Sequence, residues 1–253
     1  EGSRSQDLLA WDSMASRSLK CSPSLASLRR SFRGPGRGTV HIAFVQGNVL
    51  HWTGDVLATS TSKKLEGVQR ADWWGFAGRY SADAALHHCL GRSLREECRQ
   101  QTHQLNFGEV LVTQPKGSRL QVKHLLHTAI PSYPASEDPA AKPAPNGERL
   151  DPQELTLEKA TQLLRRSFQE LLSKAAGDLS ASSLCLPCLG CGIRGWPADL
   201  VAQIGLQALT ESEAAESISP VLSLVEFRCI DRFVLEAWIN RAIALGFQEE
   251  HFW

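Results

Sequence analysis

The sequence predicts an α/β fold, a three-layer α/β/α sandwich around a mixed, largely parallel central sheet. Three observations lead there. From Val40 onward, short β-type runs alternate with helical stretches, the pattern of βα units with helices on both faces of a sheet. A glycine-rich turn, "GCGIRG", joins a strand-like run to a helix-like one, as βα connections do. The chain has 253 residues, 42% of them hydrophobic, enough for one large core.

The elements follow in order. "VHIAFVQG" (Val40–Gly47) opens the folded part. "DVLAT" (Asp55–Thr59) is short and apolar, as a buried strand is. In "ADAALHHCLGRSLREEC" (Ala82–Cys98), Ala82, Ala85, Leu86, Cys89, Leu90 and Leu94 share one helical face. "GEVLVT" (Gly108–Thr113) and "KHLLHTAI" (Lys123–Ile130) read as strands. Ser132–Pro152 is Pro- and Ala-rich, a long exposed insertion. Leu155–Gly177 is an amphipathic helix with Gly177 placed to end it. "SSLCLP" (Ser182–Pro187) is a strand, and Pro197–Leu209 a helix with Pro197 in its first turn. "VLSLVEFRCI" (Val221–Ile230) is the last strand, and Asp231 N-caps the last helix, Asp231–Gly246.

Residues 1–38 read as a Ser/Arg-rich tail or linker, and 39–253 as one domain without internal repeats. Arg29, Arg30, Arg33 and Arg37 charge the tail, but no aromatic side chains interleave with them as stacking platforms for bases. With a formal net charge of zero, the chain is not expected to bind nucleic acid. No apolar run approaches the roughly 18–20 residues that cross a bilayer, and no apolar signal core opens the chain. It begins at Glu1 rather than Met, which suggests a piece of a longer protein with further domains. Seven irregularly spaced cysteines argue against a disulfide framework and for a reducing compartment, cytoplasm or nucleus.

The stretch "LCLPCLGCGIRGWPADL" (Leu184–Leu200) carries the chemistry. Cys185, Cys188 and Cys191 have iron–sulfur spacing, but the fourth ligand position is Gly195. In an extended strand Cys185 points to a sheet face, while Cys191 lies beyond the strand end. Buried cysteine as a small hydrophobe is the better reading, and no metal or other cofactor is expected. Gly190, Gly192 and Gly195 instead let the backbone turn tightly, approach a ligand and present N–H groups to a phosphate. The pattern G-x-G-x-x-G comes late in the chain and lacks the acidic residue about 20 positions on, so it does not mark a dehydrogenase.

Several segments, in order, resemble the macrodomain, the ADP-ribose-binding module. "QGNVLHWTGDVLATSTS" resembles its opening strand–loop–strand, and "ADAALHHCLGRSLREEC" the helix after its glycine-rich loop. "GEVLVTQ…LQVKHLLHTAIP" resembles its next two strands, "LPCLGCGIRGWP" its diphosphate loop, and "VEFRCID" its final strand. The resemblance runs from about Ile42 to Trp238. It implies that Gly190, Cys191, Gly192, Ile193, Arg194 and Gly195 hold the diphosphate, the first five through backbone N–H groups. It places Asn48 at the adenine, Thr59 and Ser62 near the distal ribose, Gly78 and Arg79 at the first glycine loop, and Phe233 against the adenine. Asp83 falls at the catalytic position of hydrolytic members. Asp55 matches a family position that reads as structural.

The departures are specific. Thr59 and Ser62 stand where the family has Asn-x-x-Asn, and Asn48 where it has Asp. Arg79, Tyr80 and Ser81 follow Gly78 where the family has more glycines, after an extra "VQRADWW" whose Trp73 and Trp74 anchor the loop or stack on a base. His87, His88, His124 and His127 read as structural. The resemblance implies a reader of ADP-ribose or of ADP-ribosylated proteins, with weak or no hydrolase activity. A pseudoenzyme that has lost the ligand and serves protein interaction is one alternative, and an ADP-ribosyl hydrolase using Asp83 is the other.

Overall fold

The computed structural model describes residues 28–35, 40–65, 81–116, 120–134, 155–192, 194–214, 218 and 221–250. Its strands are β1 Arg29–Arg33, β2 His41–Gln46, β3 Val56–Thr61, β4 Val110–Thr113, β5 His124–Ala129, β6 Ser183–Pro187, β7 Leu224–Cys229 and β8 Gln248–Glu250. They form one mixed sheet in the order β4-β5-β3-β6-β7-β2-β1-β8. The five inner strands β5, β3, β6, β7 and β2 are parallel. Strands β4, β1 and β8 pair antiparallel at the flanks. Five parallel strands bring five C-terminal ends to one edge of the sheet, where ligands of open α/β folds bind.

Four helices complete the layers: α1 Ala82–Gln101, α2 Leu157–Ser173, α3 Ala198–Ala214 and α4 Arg232–Ala244. The expected stripe of α1 buries Ala85, Leu86, Leu90 and Leu94 and extends to Cys98. It packs with Leu57, Leu125, Ala129 and Cys185 on one sheet face. The other face carries Phe44, Val56, Leu186, Val225 and Phe227, packed with Leu164, Phe168 and Leu171 of α2, Val201 and Leu206 of α3, and Trp238 of α4. Trp238 stacks at a tilt on Phe227, with centroids 4.4 Å apart, and stands 6.2 Å from Phe168. Such aromatic pairs add about 0.5–1.5 kcal/mol beyond the area they bury. Gly205 of α3 lets these rings approach, since a Cβ there would lie 2.9 Å from the Trp238 ring and 3.0 Å from Phe168.

Three local expectations are corrected. Strand β1 lies inside the stretch that reads as a tail. Its Phe32 is fully buried, while Arg30 pairs with Glu249 and Arg33 with Glu250 at 2.8 Å. The charges that make RRSFR look like a linker are the flank of an outer strand, which proteins commonly furnish with charge. Strand β8, three residues long, follows what reads as the final element. Gly177 does not end its helix: a π turn, Lys174–Asp178, continues α2 through it.

Asp55 ties the N-terminal edge together, away from the loops above. Its Oδ2 accepts from the Ser182 N–H at 2.8 Å and the Ser182 hydroxyl at 2.6 Å, and Oδ1 meets Lys123 Nζ at 2.7 Å. Lys123 and Ser182 hold its carboxyl down to about 2. Among the described residues no helix is long and apolar enough to cross a membrane.

Candidate functional site

The loop after β6 begins at Cys188 and reaches α3 at Ala198. Gly190 sits at φ +80°, where a Cβ would press to 3.0 Å from Trp196 and 3.4 Å from Ile130, so only glycine suits the position. Gly195 is likewise left-handed at φ +73°. Trp196 anchors the base of the loop: its indole N–H donates to the Pro131 carbonyl at 2.8 Å, and its ring meets Tyr133 edge-on at 5.2 Å.

Not every N–H of this loop faces outward. Cys191 donates to the Cys188 carbonyl at 3.3 Å, and Gly195 to the Gly192 carbonyl at 3.0 Å. The Cys191 amide, expected at the diphosphate, is thus engaged within the loop, as is that of Gly195, because a turn this tight satisfies part of its own backbone. The N–H groups of Gly190 and Gly192 make no backbone hydrogen bond among the described residues. The Arg194 side chain turns inward, donating to the Thr61 carbonyl at 3.2 Å and to Ser132 Oγ at 3.4 Å. Its carbonyl accepts from Tyr133 N at 2.8 Å. Arg194 therefore straps the loop to the ends of β3 and β5, a role that its sequence position does not announce. Gly78, Arg79 and Ile193, with Trp73 and Trp74, lie outside the described residues.

Beyond β2, Gly47 N donates to the Cys229 carbonyl at 2.9 Å, which seats the Asn48 turn beside the exit of β7. The Asn48 side chain, expected at the adenine, turns onto its own backbone: Oδ1 accepts from Leu50 N at 3.0 Å and caps a short 3-10 turn, Val49–His51. The turn rests on a pair that sequence reasoning missed. Arg228 Nε reaches the buried Glu226 carboxylate at 2.6 Å, and its Nη1 reaches the Asn48 carbonyl at 3.4 Å. Opposite charges two apart in a strand share a face, which was the available signal. Asp231 N-caps α4, accepting from Phe233 N at 2.9 Å and Val234 N at 3.3 Å. Phe233 stands 83% exposed beyond the end of β7.

At β3 the expectations divide. Thr59 is fully buried inside the strand, in register with His127, and its hydroxyl has only a 3.5 Å contact to the Ser60 carbonyl. It lies beneath the edge rather than at it, out of reach of a ribose bound there, contrary to the contact that the resemblance implies for Thr59. Ser62, one residue past the strand end, is half-buried.

Asp83 lies in the first turn of α1, whose N-cap Ser81 accepts from Ala84 N at 3.0 Å. The carboxyl is buried, and burial pushes it up to about 7, against the pull of the Thr61 hydroxyl and the Arg194 charge. One turn on, His87 Nε2 stands 3.6 Å from Asp83 Oδ1. Burial first, and Arg95 second, hold His87 down to about 4, so it is neutral near pH 7. Deeper, burial holds His127 down to about 3, and its Nε2 meets Thr113 Oγ1 at 2.8 Å. A carboxyl near 7 is part protonated at neutral pH and can either donate or accept a hydrogen bond.

The cysteine spacing resolves as well. Cys185 packs on the α1 face, while Cys188 and Cys191 pack on the opposite face. Among the described residues no group of three His, Cys, Asp or Glu side chains is arranged to hold a metal ion.

No family model matches the chain. A Streptomyces griseus protein described as a macro domain-containing protein is 24% identical over 184 residues, covering 71% of this chain and 82% of its own length. Among solved structures, the Oceanobacillus iheyensis macrodomain with ADP superposes with a TM-score of 0.65 at 17% identity, over 87% of this chain and 98% of the other. A Trypanosoma brucei macrodomain in complex with ADP-ribose gives 0.57 at 20% identity, over 83% and 73%. In sheet order, helix placement and extent, the chain thus carries the macrodomain fold in a sequence that has diverged far from these relatives.

Proposed function

We propose that the chain binds ADP-ribose, free or attached to protein, as a reader with weak or no hydrolase activity. The observation that carries this reading is the loop after β6. It places the unbonded N–H groups of Gly190 and Gly192 at the edge where five parallel strands end. Backbone N–H groups held in a tight turn suit a diphosphate. Phe233 offers a flat apolar face for the adenine, and Ser62 offers a hydroxyl just past the end of β3 for the distal ribose. Similarity to macrodomains solved with ADP and with ADP-ribose supports the same ligand. Asp83 is set too deep to orient a water freely, which argues for binding over turnover.

The ligand-free pseudoenzyme reading draws on other observations. The Asn48 carbonyl and the Cys191 and Gly195 amides already have partners within the chain. Thermal unfolding with and without ADP-ribose separates the two. A ligand at about a hundred times its Kd stabilises by about 2.7 kcal/mol, which at this chain length raises Tm by roughly 5 °C. An unchanged Tm supports the pseudoenzyme. Phe233→Ala keeps the Tm of the free protein, because the ring is exposed, and loses most of the ligand-induced rise. Release of ADP-ribose from a modified protein at enzymatic rates would instead establish the hydrolase.

A further inference from the structure

Two thiols at the ends of β6 and β7 have no role in the reading above. Cys188 directly continues β6, and Cys229 is the last residue of β7. The parallel register pairs Pro187 with Arg228, so Cys188 and Cys229 are the next partners across the two strands. Neighbouring strands lie roughly 4.8 Å apart, within the Cα separation of roughly 4.4–6.8 Å that a disulfide spans. Both side chains pack on the same sheet face. Cys188 is buried and Cys229 partly exposed, and both are free thiols. The neighbouring Cys188 thiol, with backbone N–H groups of Asp231 and Ile230, holds the Cys229 thiol below its ordinary value. Burial holds Cys188 far above it.

We infer that Cys188 and Cys229 form a reversible disulfide, a redox-sensitive latch at the base of the cleft. The oxidant is a peroxide. The Cys229 sulfur attacks a hydrogen peroxide oxygen and the O–O bond breaks, leaving a sulfenic acid on Cys229 and releasing one water. The Cys188 sulfur then attacks the Cys229 sulfur, the S–O bond breaks and a second water leaves. The two thiols lose two protons and two electrons, and the peroxide takes them up. A dithiol reverses the step by exchange. Transient bonds of this kind are the usual cytosolic disulfides.

The consequence for binding rests on the proposed ADP-ribose site. Cys188 supplies the carbonyl on which the loop's first turn closes, and Cys229 supplies the carbonyl that holds Gly47. A covalent bond draws these two anchors together and shifts the Gly190 and Gly192 amides, whose placement tolerates only about 0.5 Å. Oxidation is expected to weaken ADP-ribose binding roughly tenfold.

The test treats the whole chain with hydrogen peroxide, blocks remaining thiols with an alkylating agent, and maps peptides without reduction. The expected result is one peptide pair joined through Cys188 and Cys229, restored to free thiols by dithiothreitol and lost in Cys229→Ser. In Cys191→Ser the link persists. Alkylation of both Cys188 and Cys229 after peroxide overturns the inference, as does a sulfinate on Cys229 with no cross-link. The wild-type map decides this even where a variant fails to fold. Titrating ADP-ribose into both forms then tests the consequence. Binding to the reduced form alone, or far more tightly to it, supports the latch, and equal affinity refutes its effect on the cleft. If neither form binds, the ADP-ribose reading fails, and the peptide map alone judges the thiol pair.

Discussion

Asp83 shows how a single side chain sets a measurable property. In an unfolded chain its carboxyl ionises near pH 4, and in the fold near 7. Between those values the native state keeps a proton that the unfolded state has released, so stability falls as pH rises through that window. The displacement corresponds to about 4 kcal/mol at full extent. His87 and His127 act oppositely, because their folded values are depressed and stability falls as pH drops below about 6.5. Asp83→Asn removes only the first effect. Urea midpoints for this variant are expected to exceed wild type at pH 8 and to converge with it near pH 4, and a gap that does not change with pH would contradict buried ionisation. The sequence placed Asp83 at the start of a helix, but not its burial, which tertiary packing decides. The orientations of Asn48 and Arg194 were hidden for the same reason: a residue letter carries its chemistry but not its rotamer. Gly190 was legible, because a glycine between a strand and a helix implies a turn that other residues cannot make.

At the scale of elements, the clearest dependence is the approach of α2, α3 and α4 at Gly205. Gly205→Val gains helix propensity but forces Trp238 and Phe168 apart. Overpacking of this kind costs about 1–3 kcal/mol. The expected outcome is a lower urea midpoint with an unchanged slope, and a variant as stable as wild type would show that the rings have room to move. Elements with a sustained period were readable: α1 buries Ala85, Leu86, Leu90 and Leu94 of its expected stripe, with Ala82 and Cys89 half-buried. Elements set by long-range pairing were not. β1 is a strand because its backbone lies between β2 and β8 and its arginines meet Glu249 and Glu250. β8, at three residues, is too short to show a period. The π turn that carries α2 past Gly177 has no sequence signal that distinguishes it from a helix end.

Across the whole molecule, the sheet order puts β3, β6 and β7 at the centre, covered on both faces, and β4 and β8 at the edges. Native-state hydrogen exchange is expected to be slowest at the amides of β6 and β7 and fastest in β8 and β4, since opening proceeds from elements with little buried contact. Exchange in β8 as slow as in β6 would contradict this hierarchy. The same arrangement collects Ser62, Gly190, Gly192 and Phe233, far apart in the chain, at the one edge where the proposed ligand would lie. The most direct test is a calorimetric titration of ADP-ribose into the reduced chain. The account predicts saturable binding at one ligand per chain, weakened by Phe233→Ala; a flat titration with folded protein would contradict it.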